Sequence, residues 1–152
     1  MEEIKKMFSI CEKNMKIYIY PFFPRKFKSL REFINHVKND PDYNWGETYK
    51  SWLYFTDFLL DSKLLTYNYK QADLFLVMQW DNYYRGYDYY NNLIAPLEKA
   101  INSNIYRNTN PLRNHIFIYI SDDTPLYETR IPEKIRKHLK DRFIRLTYSG
   151  RI

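Results

Sequence analysis

The chain contains little glycine and almost no cysteine, and each shortage excludes a kind of site. With 3 glycines in 152 residues, it has no glycine-rich loop of the sort that wraps a nucleotide phosphate. Its single cysteine, Cys11, cannot form an internal disulfide and excludes a zinc site built from cysteines. A reduced compartment is therefore expected.

The sequence also lacks the patterns typical of a metal site, a hydrolase nucleophile and a membrane-spanning helix. The histidines and carboxylates nowhere adopt the spacing of metal ligands, and no Gly-x-Ser-x-Gly turn is present, so neither a metal site nor a hydrolase nucleophile is predicted. No run approaches the ~20 apolar residues of a membrane-spanning helix. The N-terminus is charged too early for a signal peptide. We therefore expect a soluble, cytoplasmic protein without a membrane segment.

Aromatic residues and positive charge are in excess. Aromatics make up 19% of the chain, with 16 tyrosines, and the formal net charge is +6. Tyrosine suits both half-buried sheets and stacking against sugars or bases, so the enrichment alone names no ligand. The densest cationic cluster comprises Lys134, Arg136, Lys137, Lys140, Arg142 and Arg145. We interpret it as a solvated helix face in preference to a phosphate-contacting patch, so nucleic acid is disfavoured as a partner.

Apolar patterning alternates between strand and helix periods along the chain. Strands are predicted near 16–20, 73–78, 115–120 and 142–147. Helices are predicted at 1–14, 29–39, 45–61, 87–102 and from Pro132 onward. This alternation is typical of an α/β fold with right-handed crossovers. We therefore expect residues 1–152 to form one domain, a Rossmann-like parallel sheet with helices on both faces.

Local signals mark where two of these helices begin. Ser29, with Glu32 three residues later, forms a capping box at the start of the second predicted helix. Pro96 lies inside the segment 87–102, where it must kink the helix or begin its second half.

Ligands of open parallel sheets bind outside the carboxyl ends of the strands, and this rule nominates four loops. The loops that follow the predicted strands are residues 21–25, 79–85, 121–124 and 148–151. Those after the second and third strands offer aromatic rings, amides and carboxylates. Such a mixture suits a polyhydroxylated ligand better than a phosphate.

Three titratable residues near the third predicted strand have alternative interpretations. Asp122 and Asp123 follow the strand, where one carboxylate could act as a general base. The favoured alternative is that they cap the following turn through local hydrogen bonds. His115 opens the strand, and a hydrogen-bonded structural histidine is favoured over a catalytic one.

Three blocks of the sequence resemble the N-terminal half of the exostosin-like glycosyltransferases, family 47. They are "KIYIY" at 16–20 with its proline-containing loop, the block from "YNWGETYK" to "ADLFLVM" at 43–78, and "NPLRNHIFIYISDD" at 110–123. Their order and spacing agree with the family. Positions of the family pattern are occupied here by Ser62, Thr66, Ala72, Asp73, Leu74, Phe75, Val77, Arg113, His115, Phe117 and Asp122.

The resemblance implies a glycosyltransferase of the two-domain GT-B type. Residues 16–152 would be its acceptor-side, N-terminal half. The implied reaction transfers a sugar from a nucleotide-sugar donor to a glycan acceptor, and a C-terminal GT-B domain would hold most of the donor contacts. No cofactor is expected in this chain itself.

Strand-end placement and the resemblance together nominate the site residues. Asp122 is the candidate base or acceptor-orienting acid. Substrate contacts are predicted for Trp80, Asp81, Tyr83, Arg113, His115, Ser121 and Asp123. Among these, Trp80 and Tyr83 would stack on sugar. The sequence departs from the family in lacking glycines before the third strand and in having Ser121 where the family has a strand-end histidine.

Two other classes of function stay open at this point. In the first, the same strand-end face belongs to a non-catalytic module that binds a glycan or a partner protein. In the second, the chain binds nucleic acid, which only the charge and the aromatics support. Salt separates that last class from the others, because phosphate binding weakens steeply as salt rises.

Overall fold

A computed structural model of the chain describes residues 15–41, 51–78, 94–109, 114–119 and 132–147. Four strands in this part of the chain form one sheet with the order β1-β2-β3-β4. They are β1 (Ile17–Ile19), β2 (Leu74–Met78), β3 (His115–Tyr119) and β4 (Phe143–Thr147). Each neighbouring pair is parallel. The four predicted strands and the parallel α/β sheet are therefore confirmed.

The first helical layer consists of α1 (Leu30–Lys38) and α2 (Ser51–Asp61). In α1 the apolar positions recur at helical spacing, and Leu30, Phe33, Ile34 and Val37 are all buried. They pack with Leu53, Leu59 and Leu60 of α2 against Ile17, Ile19, Leu76 and Met78 of the sheet. Burying one such large apolar side chain is worth about 2 kcal/mol, so this stripe fixes the layer on one face.

The second layer covers the opposite face of the sheet. It consists of α3 (Ala95–Asn102), α4 (Asn104–Asn108) and α5 (Glu133–Arg142). Ile94, Leu97, Ala100, Tyr106 and Ile135 pack there with Tyr20, Phe75, Val77 and Phe117. Pro96 lies in the first turn of α3, as predicted for a proline that begins the second half of the segment 87–102. Helices on both faces of the sheet are thus confirmed.

Helix α4 was not predicted from the sequence. It has five residues, and Ser103 caps it by accepting a hydrogen bond from the N–H of Tyr106 at 3.1 Å. A segment this short carries too few positions for a periodic pattern to be recognised. The predicted helix at 1–14 and the predicted helical residues at 45–50 and 87–93 lie outside the described residues.

The segment Leu64-Leu65-Thr66 extends the sheet by one short bridge on the outer side of β1. The N–H of Ile17 donates to the carbonyl of Leu64 at 2.7 Å, and the N–H of Thr66 donates to the carbonyl of Ile17 at 2.9 Å. Leu65 pairs with Ile17 in parallel. Since β2 pairs with the other side of β1, β1 lies between this segment and β2.

This placement makes the sheet doubly wound. From β1 the chain runs through the first layer to the segment 64–66 on one side. From β2 it runs through the second layer to β3 on the other side. The first crossover therefore moves along the sheet in one direction over one face, and the second moves in the opposite direction over the other face. Two such crossovers have the same hand, as expected from the rule that connections between parallel strands are right-handed. Among the described helices, none is long and apolar enough to cross a membrane.

Candidate functional site

The candidate site is defined by the carboxyl ends of β1 and β2. The chain leaves these neighbouring strands toward opposite faces, because α1 follows β1 in the first layer and α3 follows β2 in the second. A sheet opens into a crevice at such a switch point, and ligands of doubly wound proteins bind there. The fold places the carboxyl ends of β1 and β2, which two of the nominated loops follow, side by side. Residues 79–85, the loop nominated after β2, lie outside the described residues.

Phe22 follows β1 at the edge of the sheet where this crevice is expected. The N–H of Phe22 donates to the carbonyl of Tyr20 at 2.9 Å, which turns the chain sharply after β1. The Phe22 ring then stacks on the Tyr20 ring, with centroids 5.3 Å apart and an interplanar angle of 28°. It packs against the hydrophobic clusters of both faces and stays partly exposed. The ring therefore straddles the carboxyl end of the sheet.

The start of α1, beside this loop, is already occupied by a carboxylate. Ser29 accepts a hydrogen bond from the N–H of Glu32 at 3.1 Å, and Glu32 accepts one from the N–H of Lys28 at 2.8 Å. The predicted capping box is thus confirmed. Because the side chain of Glu32 brings negative charge to the positive end of the helix dipole, this helix start disfavours a phosphate ligand.

Cationic side chains follow Phe22 along the loop. Arg25, Lys26 and Lys28 are exposed, and the Lys26 ammonium lies 5.0 Å from the centroid of the Phe27 ring. Phe27 in turn contacts Phe33 of α1, with ring centroids 5.2 Å apart. The loop is therefore anchored by its aromatic residues, and its charges face solvent.

His115 is the one predicted substrate contact that lies within the described residues, and it is buried with 0% exposure. Its Nδ1 lies 2.9 Å from the Asn114 Oδ1, which can only accept, so Nδ1 carries the proton. The Nε2 atom lies 3.0 Å from the Tyr20 hydroxyl, which donates to it when the ring is neutral. Both ring nitrogens therefore have a hydrogen-bond partner.

His115 also lies at the amino end of its strand. Four residue steps separate it from Tyr119, so its backbone is about 13 Å from the carboxyl end of β3. Its ring stacks on Phe75, with centroids 4.8 Å apart and an interplanar angle of 13°. This geometry supports the structural alternative, and contact between His115 and a ligand stays a prediction that the burial does not support.

A second tyrosine–histidine pair lies in the same layer. The Tyr106 hydroxyl is 2.9 Å from Nδ1 of His138, which connects α4 to α5. The Tyr106 ring also meets the His115 ring edge to face, with centroids 4.9 Å apart. Neither pair could be predicted from the sequence, since the tyrosine and the histidine of each pair lie far apart along the chain. These contacts join β1, β3, α4 and α5 through aromatic side chains.

One phenol in this layer has a shifted ionisation. Burial raises the pKa of Tyr18 above its ordinary value of 10.0, and the neighbouring phenol of Tyr69 raises it further. The two rings lie with centroids 6.3 Å apart. Tyr18 lies two residues before Tyr20 and packs against the same hydrophobic cluster. It therefore belongs to the packing beneath the site.

The other predicted site residues lie outside the described part of the chain. They are the candidate base Asp122 and the predicted substrate contacts Trp80, Asp81, Tyr83, Arg113, Ser121 and Asp123. Their roles stay predictions. Among the described residues, no three histidine, cysteine, aspartate or glutamate side chains are placed to hold a metal ion.

The cationic cluster near the C-terminus lies on α5, except for Arg145, which lies on β4, and the sequence predicted such a helix and following strand. Lys134, Arg136 and Lys137 are exposed, and together with Glu133 they line an open pocket of about 530 Å³. Lys134 also pairs with Glu98 of α3 at 3.2 Å. Since side chains this exposed are well hydrated, the cluster fits the predicted solvated face.

Comparison with known proteins adds no assignment. The chain matches no protein-family model, no curated protein and no solved structure. The crevice and the sequence are therefore the basis of the functional proposal.

Proposed function

We propose that this chain is the acceptor-binding half of an exostosin-like glycosyltransferase, a Rossmann-like domain of a GT-B enzyme. Its crevice binds a glycan, to which the complete enzyme transfers a sugar from a nucleotide-sugar donor. The proposal combines the resemblance of the sequence to that family with the parallel, doubly wound sheet.

The class of ligand is inferred from the residues at the crevice. The crevice between β1 and β2 has a partly exposed aromatic ring at its base, while the adjacent helix start is closed to phosphate by Glu32. A neutral ligand with apolar and hydroxyl-bearing faces suits such a wall better than a nucleotide diphosphate does. This agrees with an acceptor-side role and with a donor held elsewhere.

The chemistry is assigned to residues of the neighbouring loops. Asp122 would accept the proton of the acceptor hydroxyl, and Arg113 would shape that site. Trp80 and Tyr83 would stack on further sugar units. Asp81, Ser121 and Asp123 would hydrogen-bond to acceptor hydroxyls, as the sequence predicts.

The isolated chain is expected to bind but not to transfer sugar at a useful rate. In a two-domain enzyme, donor and acceptor meet across a cleft, and much of the rate enhancement comes from that positioning. No cofactor of its own is proposed for the chain, and a C-terminal GT-B domain is its proposed partner.

A non-catalytic glycan- or protein-binding module is the second candidate. The observation that favours it lies in residues 20–32, the described wall of the crevice. Their only carboxylate is that of Glu32, and it is used in capping α1. Binding groups are therefore present in this wall, whereas the proposed catalytic acid belongs to another loop.

The proposal is tested by titrating the ¹⁵N-labelled chain with two sets of ligands. One set contains hexasaccharides of glucose, xylose and galacturonic acid, and the other contains uridine- and guanosine-diphosphate sugars. We expect amide shifts that saturate with at least one hexasaccharide and none with the nucleotide sugars. Binding of nucleotide sugars alone, or of neither set, would reject the acceptor-side assignment.

A further inference from the structure

Phe22 differs from the other phenylalanines of the loop in how its ring is held. Phe23 stacks on Phe33 within the first layer, with centroids 6.1 Å apart and an interplanar angle of 12°. Phe27 packs on the same residue. Phe22 instead contacts the clusters of both faces and lies over the end of the sheet. Of these three rings, Phe22 is therefore the one that contacts both layers just beyond the carboxyl end of β1.

The support beneath Phe22 is rigid. Tyr20, on which the ring stacks, is 1% exposed, and its hydroxyl is hydrogen-bonded to the buried His115 at 3.0 Å. The backbone hydrogen bond from Phe22 to Tyr20 fixes the turn. A ring held this way loses little conformational freedom when a ligand binds, which is the condition for an effective binding surface.

The aromatic ring of Phe22 favours one kind of contact with a ligand. An aromatic face offers apolar area and a negative electrostatic face, and it attracts the polarised C–H groups on one side of a pyranose. Glu32 disfavours an anion at the neighbouring helix start. We infer that Phe22 is the platform on which a pyranose ring of the acceptor stacks. This role rests on the proposed function, and the sequence predicted it only for Trp80 and Tyr83.

The test compares substitutions that separate the aromatic face from the bulk of the side chain. Phe22→Leu keeps an apolar group of similar size, whereas Phe22→Trp enlarges the aromatic face. With the hexasaccharide that gives the largest response for the unmodified chain, we expect Phe22→Leu to raise the Kd at least tenfold. Phe22→Trp should lower it, because the larger aromatic face covers more of the sugar.

Phe23→Leu is the matched control, because the same atoms are exchanged at a ring that packs inside the first layer. It should lower the melting temperature and change the Kd less than twofold. Melting curves for every variant identify any that fail to fold, and Phe22→Trp retains the test if Phe22→Leu is one of them. If a hexasaccharide binds equally well to all the variants, Phe22 is not the platform, although the proposed function stands. If no hexasaccharide binds to the unmodified chain, both fail.

Discussion

At the scale of single residues, the hydrogen bond between Tyr20 and His115 is the most consequential contact described. It joins β1 to β3 across β2, inside the second layer, with both side chains buried. Burial makes such a bond specific, because neither group can exchange its partner for water. The same tyrosine supports Phe22, so the packing of the sheet and the base of the crevice depend on one side chain.

We predict that Tyr20→Phe destabilises the fold by about 2 kcal/mol, the usual cost of leaving a buried polar group without its partner. The missing hydroxyl removes the donor to Nε2 of His115. Urea unfolding monitored by tyrosine and tryptophan fluorescence measures the change. Tyr67→Phe is the control, since Tyr67 is 77% exposed and should change stability by less than about 0.5 kcal/mol. Equal effects of the two substitutions would contradict the contact.

Tyr18 predicts how stability depends on alkaline pH. Because burial raises its pKa in the folded state, the folded protein favours the neutral phenol. The resulting stabilisation is complete below the unfolded-state pKa of 10.0 and is lost as the pH rises through the folded-state value. We predict that Tyr18→Phe unfolds with a smaller loss of stability above pH 10.0 than the unmodified chain.

Urea unfolding at neutral and alkaline pH measures this difference. The Tyr67→Phe variant should follow the unmodified chain across the same range, because Tyr67 is 77% exposed and its substitution leaves the packing around Tyr18 unchanged. A Tyr18→Phe curve that falls as steeply as the unmodified one would show that Tyr18 does not ionise differently on folding.

Residue-level roles were only partly predictable from the sequence. The choice of a structural role for His115 followed from its place in an apolar strand, and its burial supports that choice. Its partner Tyr20 could not be named, because pairing across two strands depends on register, which no local pattern encodes. Phe22 was missed for a related reason, since its neighbours Phe23 and Phe27 look equivalent in the sequence.

At the scale of elements, helix α1 shows how a local signal determines where a helix begins. We predict that Ser29→Ala destabilises the fold by about 1 kcal/mol, because the N–H of Glu32 loses its acceptor. Thermal unfolding followed by circular dichroism measures the loss. Lys28→Ala is the control, since Lys28 contributes to the capping box through its backbone N–H, which the substitution retains. Loss of stability in both variants alike would argue against the cap.

Elements with long patterns were predictable and short ones were not. The four strands and the capped start of α1 follow from apolar periodicity and from one capping motif. Helix α4 depends on the single cap at Ser103, and the bridge at Leu65 is one residue pair. Neither is long enough to produce a period, so only their tertiary contacts reveal them.

At the scale of the whole molecule, the sequence predicted the kind of sheet but not its order. Strand–helix alternation makes parallel strands the expected arrangement, yet it does not say on which side of β1 the next segment pairs. The bonds of Ile17 to Leu64 and Thr66 decide that. They also decide which two strand ends meet at the switch point, and that is why the sequence could nominate the site only as a set of loops.

The whole-molecule charge distribution offers a rival binding face. Helix α5 exposes Lys134, Arg136 and Lys137, three cations that a polyanion could contact without reaching the crevice. Binding at that face would depend steeply on salt, because each phosphate contact releases counterions. Stacking of a neutral sugar at the crevice would change little over the same range of salt.

The most direct test is to map where a bound hexasaccharide lies, using amide shifts at low and at physiological salt. We predict that a neutral hexasaccharide shifts the amides of Phe22, Phe23 and residues 25–29, that α5 is unaffected, and that the affinity changes little with salt. Shifts confined to α5 that disappear as salt is raised would contradict the glycan crevice and favour a polyanion-binding protein.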